Sequence, residues 1–282
     1  MSKKINIGFI GQGYIGKNYA DDFETRGYKV TRYAKEQPYS SNLEKIKKCD
    51  IVFIAVPTPT TTKGYDTSII RKVLPLTKTG SIVVLKSTIF PGLTKILQKE
   101  FPDRIIMHSP EFLSEKTAAY DATHPFTNII GITNNTDKHK KAAKLILSIL
   151  PKAPFKTIVT SEEAELIKYC HNCSGYTQII FFNLMYDLAS KLGAKWENIN
   201  EALRADPFIP NRYSSPVHKN GRGAGGNCFI KDFASLREKY EKTVGDNSGV
   251  SVLISMEEKN KKLLKESKKD IEILKKVYGK KI

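Results

Sequence analysis

The twelve residues Gly221–Asp232, GRGAGGNCFIKD, carry the strongest chemical signal in the chain. Small residues run directly into Cys228, and an acid follows four positions later at Asp232. A helix opening near Cys228 puts thiol and carboxylate on one face. It also puts the sulfur at a helix N-terminus, where the dipole and the unpaired N–H groups favour thiolate. The glycines leave room for a ligand to approach the backbone closely. Such an arrangement suits a nucleophilic cysteine. The competing reading is a glycine-rich loop before a helix that buries a small thiol.

A second motif stands near the N-terminus. Residues Lys4–Ile10 read as an apolar strand, Gly11-Gln12-Gly13-Tyr14-Ile15-Gly16 follows, a helical stretch runs to about Arg26, and a second strand covers Tyr28–Tyr33. Strand, G-x-G-x-x-G, helix and strand is the context that a dinucleotide-binding fingerprint requires. Gly11, Gly13, Tyr14, Ile15 and Gly16 are therefore candidates for holding a nicotinamide dinucleotide, with its phosphates at the helix N-terminus.

Three more motifs end apolar strands: Val56-Pro57-Thr58-Pro59-Thr60, Lys86-Ser87-Thr88 with Pro91-Gly92 after it, and Ser109-Pro110-Glu111-Phe112-Leu113-Ser114-Glu115. Strand C-termini line the ligand crevice of an open α/β sheet. Taken singly, each also reads as a plain strand-end turn. Further on, Lys168 and Asn172 stand at i, i+4 and share a helix face.

The elements between these motifs alternate. Short buried strands are expected at Asp50–Val56, Ser81–Leu85, Arg104–Met107, Asn128–Ile132 and Lys156–Val159, with helices such as Ser68–Leu76 and Asp137–Leu150 between them. Alternation of this kind predicts a Rossmann-type α/β domain with a doubly wound parallel sheet over residues 1–159. The pattern changes at Thr160, where Thr160-Ser161-Glu162-Glu163 resembles a capping box. A periodic run to Leu192 follows, and residues 160–282 read as an all-helical domain. Its exception is an ordered loop, Asp206–Asn227, that delivers Cys228; a lysine-rich amphipathic helical pattern spans Val250–Tyr278.

Composition narrows the classes. The chain has 282 residues and is 40% hydrophobic, enough for one large core or two medium ones. No apolar run reaches the roughly 20 residues of a membrane span, and a cytosolic protein is the default reading. The four cysteines, Cys49, Cys170, Cys173 and Cys228, make no disulfide framework in such a chain. Cys170-x-x-Cys173 has no second pair to complete a zinc site, so no metal is expected. The net charge of +17 invites a nucleic-acid reading, but the lysines are dispersed and not interleaved with aromatics. An anionic small substrate or a solvated lysine-rich surface accounts for the charge as well.

Taken together and in this order, GQGYIG, VPTPT, KST with PG, SPEFLSE, AELIKYCHN and GAGGNCFIKD resemble the signatures of the UDP-glucose/GDP-mannose dehydrogenase family. The resemblance runs from Ile5 to about Lys262. It implies NAD-dependent oxidation of a nucleotide sugar's primary alcohol, twice, to the carboxylate, through a thiohemiacetal and a thioester. That chemistry needs an activated nucleophile and stabilised oxyanions. By resemblance, Cys228 is the nucleophile, and Lys168 and Asn172 stabilise charge on the sugar oxygen. Thr88 and Asp232 position water, with Asp232 also a proton carrier. One of Glu111 and Glu115, again at i, i+4, helps activate that water. Pro57, Thr58 and Thr88 contact the cofactor. Phe112, Leu113 and Gly225 contact the substrate, and Arg212 reaches the substrate of a partner subunit, where a guanidinium suits pyrophosphate or sugar hydroxyls.

Two departures stand out. Ala34 occupies the place of the acid that usually binds the adenosine ribose, while Arg32 and Lys35 are placed to accept a 2′-phosphate, so NADP is a possible cofactor beside NAD. The family's third domain, which closes the nucleotide-sugar site, has no counterpart in these 282 residues, and a separate UDP-binding domain is a possible partner. The long helix after Thr160 carries more apolar surface than one small helical domain covers, which predicts a homodimer. Two other functions compete: a β-hydroxyacid-type dehydrogenase, which has no need of Cys228, and a non-catalytic nucleotide-binding subunit.

Overall fold

The computed structural model describes residues 5–279. By packing, the chain forms two compact units. The first comprises residues up to Thr58 together with Asp66–Lys168; the second comprises Pro59–Tyr65 and Tyr169 onward. The division falls inside a long helix, beyond the point where the sequence pattern changes.

Along the chain run β1 (Ile7–Ile10), α1 (Tyr14–Thr25), β2 (Val30–Tyr33), α2 (Leu43–Ile46), β3 (Ile51–Ile54), β4 (Thr60–Thr61), β5 (Gly64–Tyr65) and α3 (Ser68–Val73). Then come β6 (Ile82–Leu85), α4 (Leu93–Glu100), β7 (Ile105–His108), α5 (Ala118–Thr123), β8 (Thr127–Ile132), α6 (Asp137–Ile149) and β9 (Phe155–Thr160). The rest is α7 (Ser161–Lys191), α8 (Trp196–Ala205), β10 (Val217–His218), β11 (Gly221–Arg222), α9 (Gly226–Thr243), α10 (Asn247–Glu266) and α11 (Ile271–Tyr278). Lys4, placed in the first strand by its sequence, lies outside the described residues.

The first unit is built on a seven-stranded sheet in the order β2-β1-β3-β6-β7-β8-β9. The inner strands β1, β3 and β7 are buried at every position, as continuous apolar runs between two helical layers must be. The order reverses between β1 and β3, which opens the switch-point crevice at their C-terminal ends. The sheet is mostly parallel, with one refinement: β8 runs antiparallel to β7, and β9 is parallel to β8, so the sheet is mixed. Apolar runs give a strand's existence and leave its direction open. Aromatic rings fix the core centre, with Phe9 stacked on Phe53 at 4.8 Å and edge-on to Phe23 at 5.4 Å.

The helix α7 has 31 residues and starts on the expected capping box. Thr160 N donates to Glu163 Oε2 at 2.7 Å, and Glu163 N donates back to Thr160 Oγ1 at 3.3 Å. In the second unit, Tyr176 stacks on Phe233 at 3.8 Å, and Ile230, Ala234, Leu264, Leu274 and Val277 join α9, α10 and α11 in a small core. The C-terminal helical pattern is two helices, not one: α10 and α11 are separated by a turn in which Lys268 and Asp270 adopt left-handed φ of 53°.

Candidate active site

The first unit carries the fingerprint turn. Gly11 has φ of 91°, and a side chain there would put its Cβ 2.2 Å from Ala55 O. At Gly16 a Cβ would fall 1.9 Å from Gly11 O. Both positions demand glycine because backbone packs against them. Gly13 is different: nothing lies within 4 Å of the place a Cβ would take. It is the N-cap of α1, no side chain caps that helix, and its first turn holds no acid. A helix N-terminus with no side-chain cap and no acid suits a phosphate, and the turn fits a dinucleotide.

The strand-end motifs beside it are tied together. Ser87 Oγ accepts from Val56 N at 2.9 Å and donates to Val56 O at 2.7 Å, while Thr58 Oγ1 donates to Thr88 O at 2.8 Å. Thr58 and Thr88 are buried and Pro57 is exposed. The expected 2′-phosphate site at Arg32 is not open. Its guanidinium bonds Glu24 Oε2 at 2.6 Å and Asp21 Oδ1 at 2.7 Å, and the side chain is only 11% exposed. Two carboxylates occupy the fork that a phosphate would need.

Lys168 sits in a buried cluster of charge. Its Nζ donates to the Glu111 carbonyl at 2.6 Å and lies 3.1 Å from Glu111 Oε1. Nearby, Lys86 Nζ donates to Ser109 Oγ at 3.1 Å and lies 4.2 Å from the Tyr19 ring centre. Burial, assisted by the charge on Lys168 and opposed by Glu111, lowers the Lys86 amine from 10.5 to about 7. Burial and the Lys86 charge lower His108 to about 3, and neither of its ring nitrogens has a partner. The helical pairing expected of Glu111 and Glu115 is absent, because residues 109–114 are irregular and α5 begins at Ala118. Glu111 is buried and Glu115 exposed. Leu113 N donates to Glu111 Oε2 at 2.8 Å, so that carboxylate orders the segment bearing both substrate-contact candidates; Phe112 packs its ring 5.2 Å from Phe126.

Two residues of this unit had no role assigned from sequence. One is Lys86 itself, an ionisable residue at the end of an apolar run, which is a legible warning. The other is Glu165, fully buried on α7, whose carboxylate accepts from Gly92 N at 2.5 Å, Thr94 N at 2.8 Å and Thr94 Oγ1 at 2.5 Å. It caps α4 from another helix. Burial pushes its carboxyl up to about 7 against the pull of these donors.

The second unit carries the thiol. The helix α9 opens at Gly226, which places Cys228 in its first turn, exposed, and Asp232 one turn later, 1% exposed. Asp232 Oδ2 accepts from Asn172 Nδ2 at 2.7 Å, and its other oxygen accepts from Lys231 Nζ. Asn172 is buried on α7, one turn after Lys168. Cys170 is exposed and Cys173 buried, with its thiol pushed up by burial, and none of the four cysteines is in a disulfide. Arg212 is exposed, its guanidinium 5.7 Å from the Tyr213 ring centre. At Gly225 a Cβ would meet Asp270 Oδ2 at 2.1 Å, so packing against Asp270 accounts for glycine there.

Residues 34–149 match the NAD binding domain of the UDP-glucose/GDP-mannose dehydrogenase family, and residues 162–262 match its central domain. The chain belongs to that family. The matched NAD binding domain makes NAD the cofactor. A UDP-glucose 6-dehydrogenase of Rickettsia bellii is 26% identical over 89% of this chain and 66% of its own length. The chain therefore spans just under two thirds of that relative. Among solved structures, a UDP-glucose dehydrogenase from Pyrobaculum islandicum has a TM-score of 0.77 at 25% identity, covering 91% of this chain and 68% of that one. A 3-hydroxyisobutyrate dehydrogenase of Mycobacterium tuberculosis has a TM-score of 0.72 at 14% identity, covering 94% of this chain and 95% of that one, a likeness of fold alone. Among the described residues no helix is long and apolar enough to cross a membrane.

Proposed function

We propose that this family member oxidises the primary alcohol of a nucleotide sugar to the carboxylate in two NAD-dependent steps, with Cys228 as the covalent nucleophile. The observation that carries the reading is Cys228 in the first turn of α9 with buried Asp232 one turn behind it, hydrogen-bonded to Asn172. Bound NAD⁺ supplies the hydride acceptor for each oxidation. In the first step the alcohol carbon loses a hydride and its oxygen a proton, leaving an aldehyde. The Cys228 thiolate adds to that carbonyl carbon, and the oxygen takes up the charge. The thiohemiacetal then loses a hydride and becomes a thioester. Water adds to the thioester carbonyl, the C–S bond breaks, and thiol and carboxylate are released.

Each side chain has a part in this sequence. Lys168 brings a positive charge to the sugar oxygen, and Glu111 holds its ammonium in place from two directions. Asn172 spends one amide hydrogen on Asp232 and keeps the second for the oxyanion. Asp232 orients the water and takes its proton; Thr88 is assigned to the cofactor. Of the two glutamates, Glu111 is buried and Glu115 exposed, which favours Glu111 for the assisting role. Phe112, Leu113 and Arg212 are assigned to the substrate. The lysine-rich surface suits a substrate bearing a pyrophosphate.

The proposed assembly is a homodimer through α7 and α8. Phe181, Leu184 and Leu188 expose one apolar stripe of α7, and exposed Leu192 follows its last residue. Trp196 Nε1 and Gln178 Oε1, beside it, are buried without partners. Light scattering tests this, and a monomer at working concentration contradicts it. The substrate is tested by offering UDP-glucose, GDP-mannose and UDP-N-acetylhexosamines with NAD⁺ and recording reduced cofactor. Turnover on one of them is the expected result; NAD⁺ binding with no turnover on any favours a nucleotide-binding subunit.

A further inference from the structure

The loop before Cys228 is mostly glycine, so its backbone polar groups need partners from elsewhere. They find them in one place. Asn260 on α10 grips Ala224 twice: Oδ1 accepts from its N at 2.7 Å, and Nδ2 donates to its O at 3.0 Å. Ser267 Oγ accepts from Arg222 N at 3.0 Å, and Lys269 Nζ donates to Gly223 O at 2.9 Å. Asp270 Oδ2 accepts from Gly226 N, the first residue of α9, at 2.7 Å. Gly225, between the gripped residues, packs on the same carboxylate. From another side, the Arg222 side chain donates to Asn183 Oδ1 at 2.8 Å and Asp187 Oδ1 at 2.6 Å on α7.

The gripping turn is itself unusual. Lys268 and Asp270 sit at φ of 53°, a region that residues with a side chain seldom adopt unless their surroundings dictate it. Asp270 is the N-cap of α11, where aspartate normally bonds its own helix. It makes no such bond, and its carboxylate reaches across to cap α9 instead.

We propose that Asp270 is the positioning residue of the cysteine helix, and that the Ser267–Asp270 turn, with Asn260, is a clamp that fixes where Cys228 is held. The consequence for catalysis rests on Cys228 being the nucleophile. The clamp itself does not.

The test uses the full chain with Asp270→Ala and Asp270→Asn. Two quantities are read by mass spectrometry: amide exchange across Arg222–Cys228, and iodoacetamide alkylation at each thiol, with exposed Cys170 as the internal reference. Asp270→Ala is expected to speed loop exchange about fivefold, the factor one net hydrogen bond supplies, and to raise alkylation of Cys228 relative to Cys170 by a similar factor. Asp270→Asn keeps an acceptor oxygen for Gly226 N and is expected to stay within about twofold of the parent in exchange. Asn260→Ala serves if Asp270→Ala does not fold, and should loosen the same amides. Unchanged exchange overturns the clamp. So does equal loosening in the asparagine variant, or a rise at all four thiols together, which marks general unfolding. Separately, a Cys228→Ala chain that still completes both oxidations overturns the nucleophile reading and leaves the exchange result standing.

Discussion

The fingerprint turn and the cysteine loop are both glycine-rich, and each leads into the first turn of a helix, yet they are held in opposite ways. At Gly11 and Gly16 of the fingerprint, glycine is required because backbone atoms of the turn itself and of the neighbouring strand end stand where a Cβ would be. At the cysteine loop, the nearest atoms to Gly225 are side-chain atoms of Asp270 and Lys269, and the bonds come from residues 36 to 46 positions away. A turn held by packed backbone is stiff and locally encoded. A loop held by distant side chains can be loosened by one of them.

Substitutions can break or sharpen this contrast. The largest expected effect lies in the buried charge of the first unit: Lys168→Met leaves Glu111 buried without its ion-pair partner and should cost about 4 kcal/mol in urea unfolding. A loss below about 1 kcal/mol would mean that the cluster is wetter than its burial indicates. Gly16→Ala drives a Cβ into Gly11 O, which cannot swing aside, and should cost about 3 kcal/mol together with NAD⁺ binding. Gly225→Ala meets only the side-chain ends of Asp270 and Lys269. It should cost about 1 kcal/mol while loosening the loop amides, and equal costs at the two glycines would end the contrast.

Between these two in size lies a pH effect. The Lys86 amine is depressed from 10.5 to about 7 by burial. Between those values the unfolded chain binds the proton and the folded chain does not, so stability rises with pH across that window. Below the folded value both states are protonated and the full cost of burying the charge is in place. Lys86→Met should flatten the rise and add about 2 kcal/mol at pH 6, measured as urea midpoints across the pH series. A parallel rise in both chains would assign it to other groups. The smallest expected effect is at Arg32. Because Glu24 and Asp21 hold it, Arg32→Ala should leave the ratio of NAD⁺ to NADP⁺ affinity unchanged in calorimetric titrations. A gain in preference for NAD⁺ would show the guanidinium reaching a 2′-phosphate.

Much of the first unit was legible because its signals are local. The apolar runs gave the strands, the fingerprint gave the turn, and Thr160 with Glu163 gave the start of α7 as a reciprocal cap. Cys228 and Asp232 on one face of an opening helix followed from their spacing alone. What was not legible depends on direction or distance. The reversal of β8 and β9 leaves no mark on periodicity. Glu111 and Glu115 have helical spacing, but Pro110 and the bond from Leu113 N to Glu111 hold the segment in an irregular path. Arg32 reads as an open cation until Asp21 and Glu24 are seen one helix away. The break between α10 and α11 holds no glycine or proline, and its Ser267, Lys269 and Asp270 side chains bond the cysteine loop.

If Cys228 is the covalent nucleophile, it carries the second oxidation and not the first. This is tested by counting reduced cofactor per sugar in the parent chain and in Cys228→Ala, on whichever nucleotide sugar turns over. Two per sugar with a carboxylate product are expected in the parent, and no more than one in the variant, with no carboxylate formed. Two per sugar and a carboxylate from the variant would contradict it.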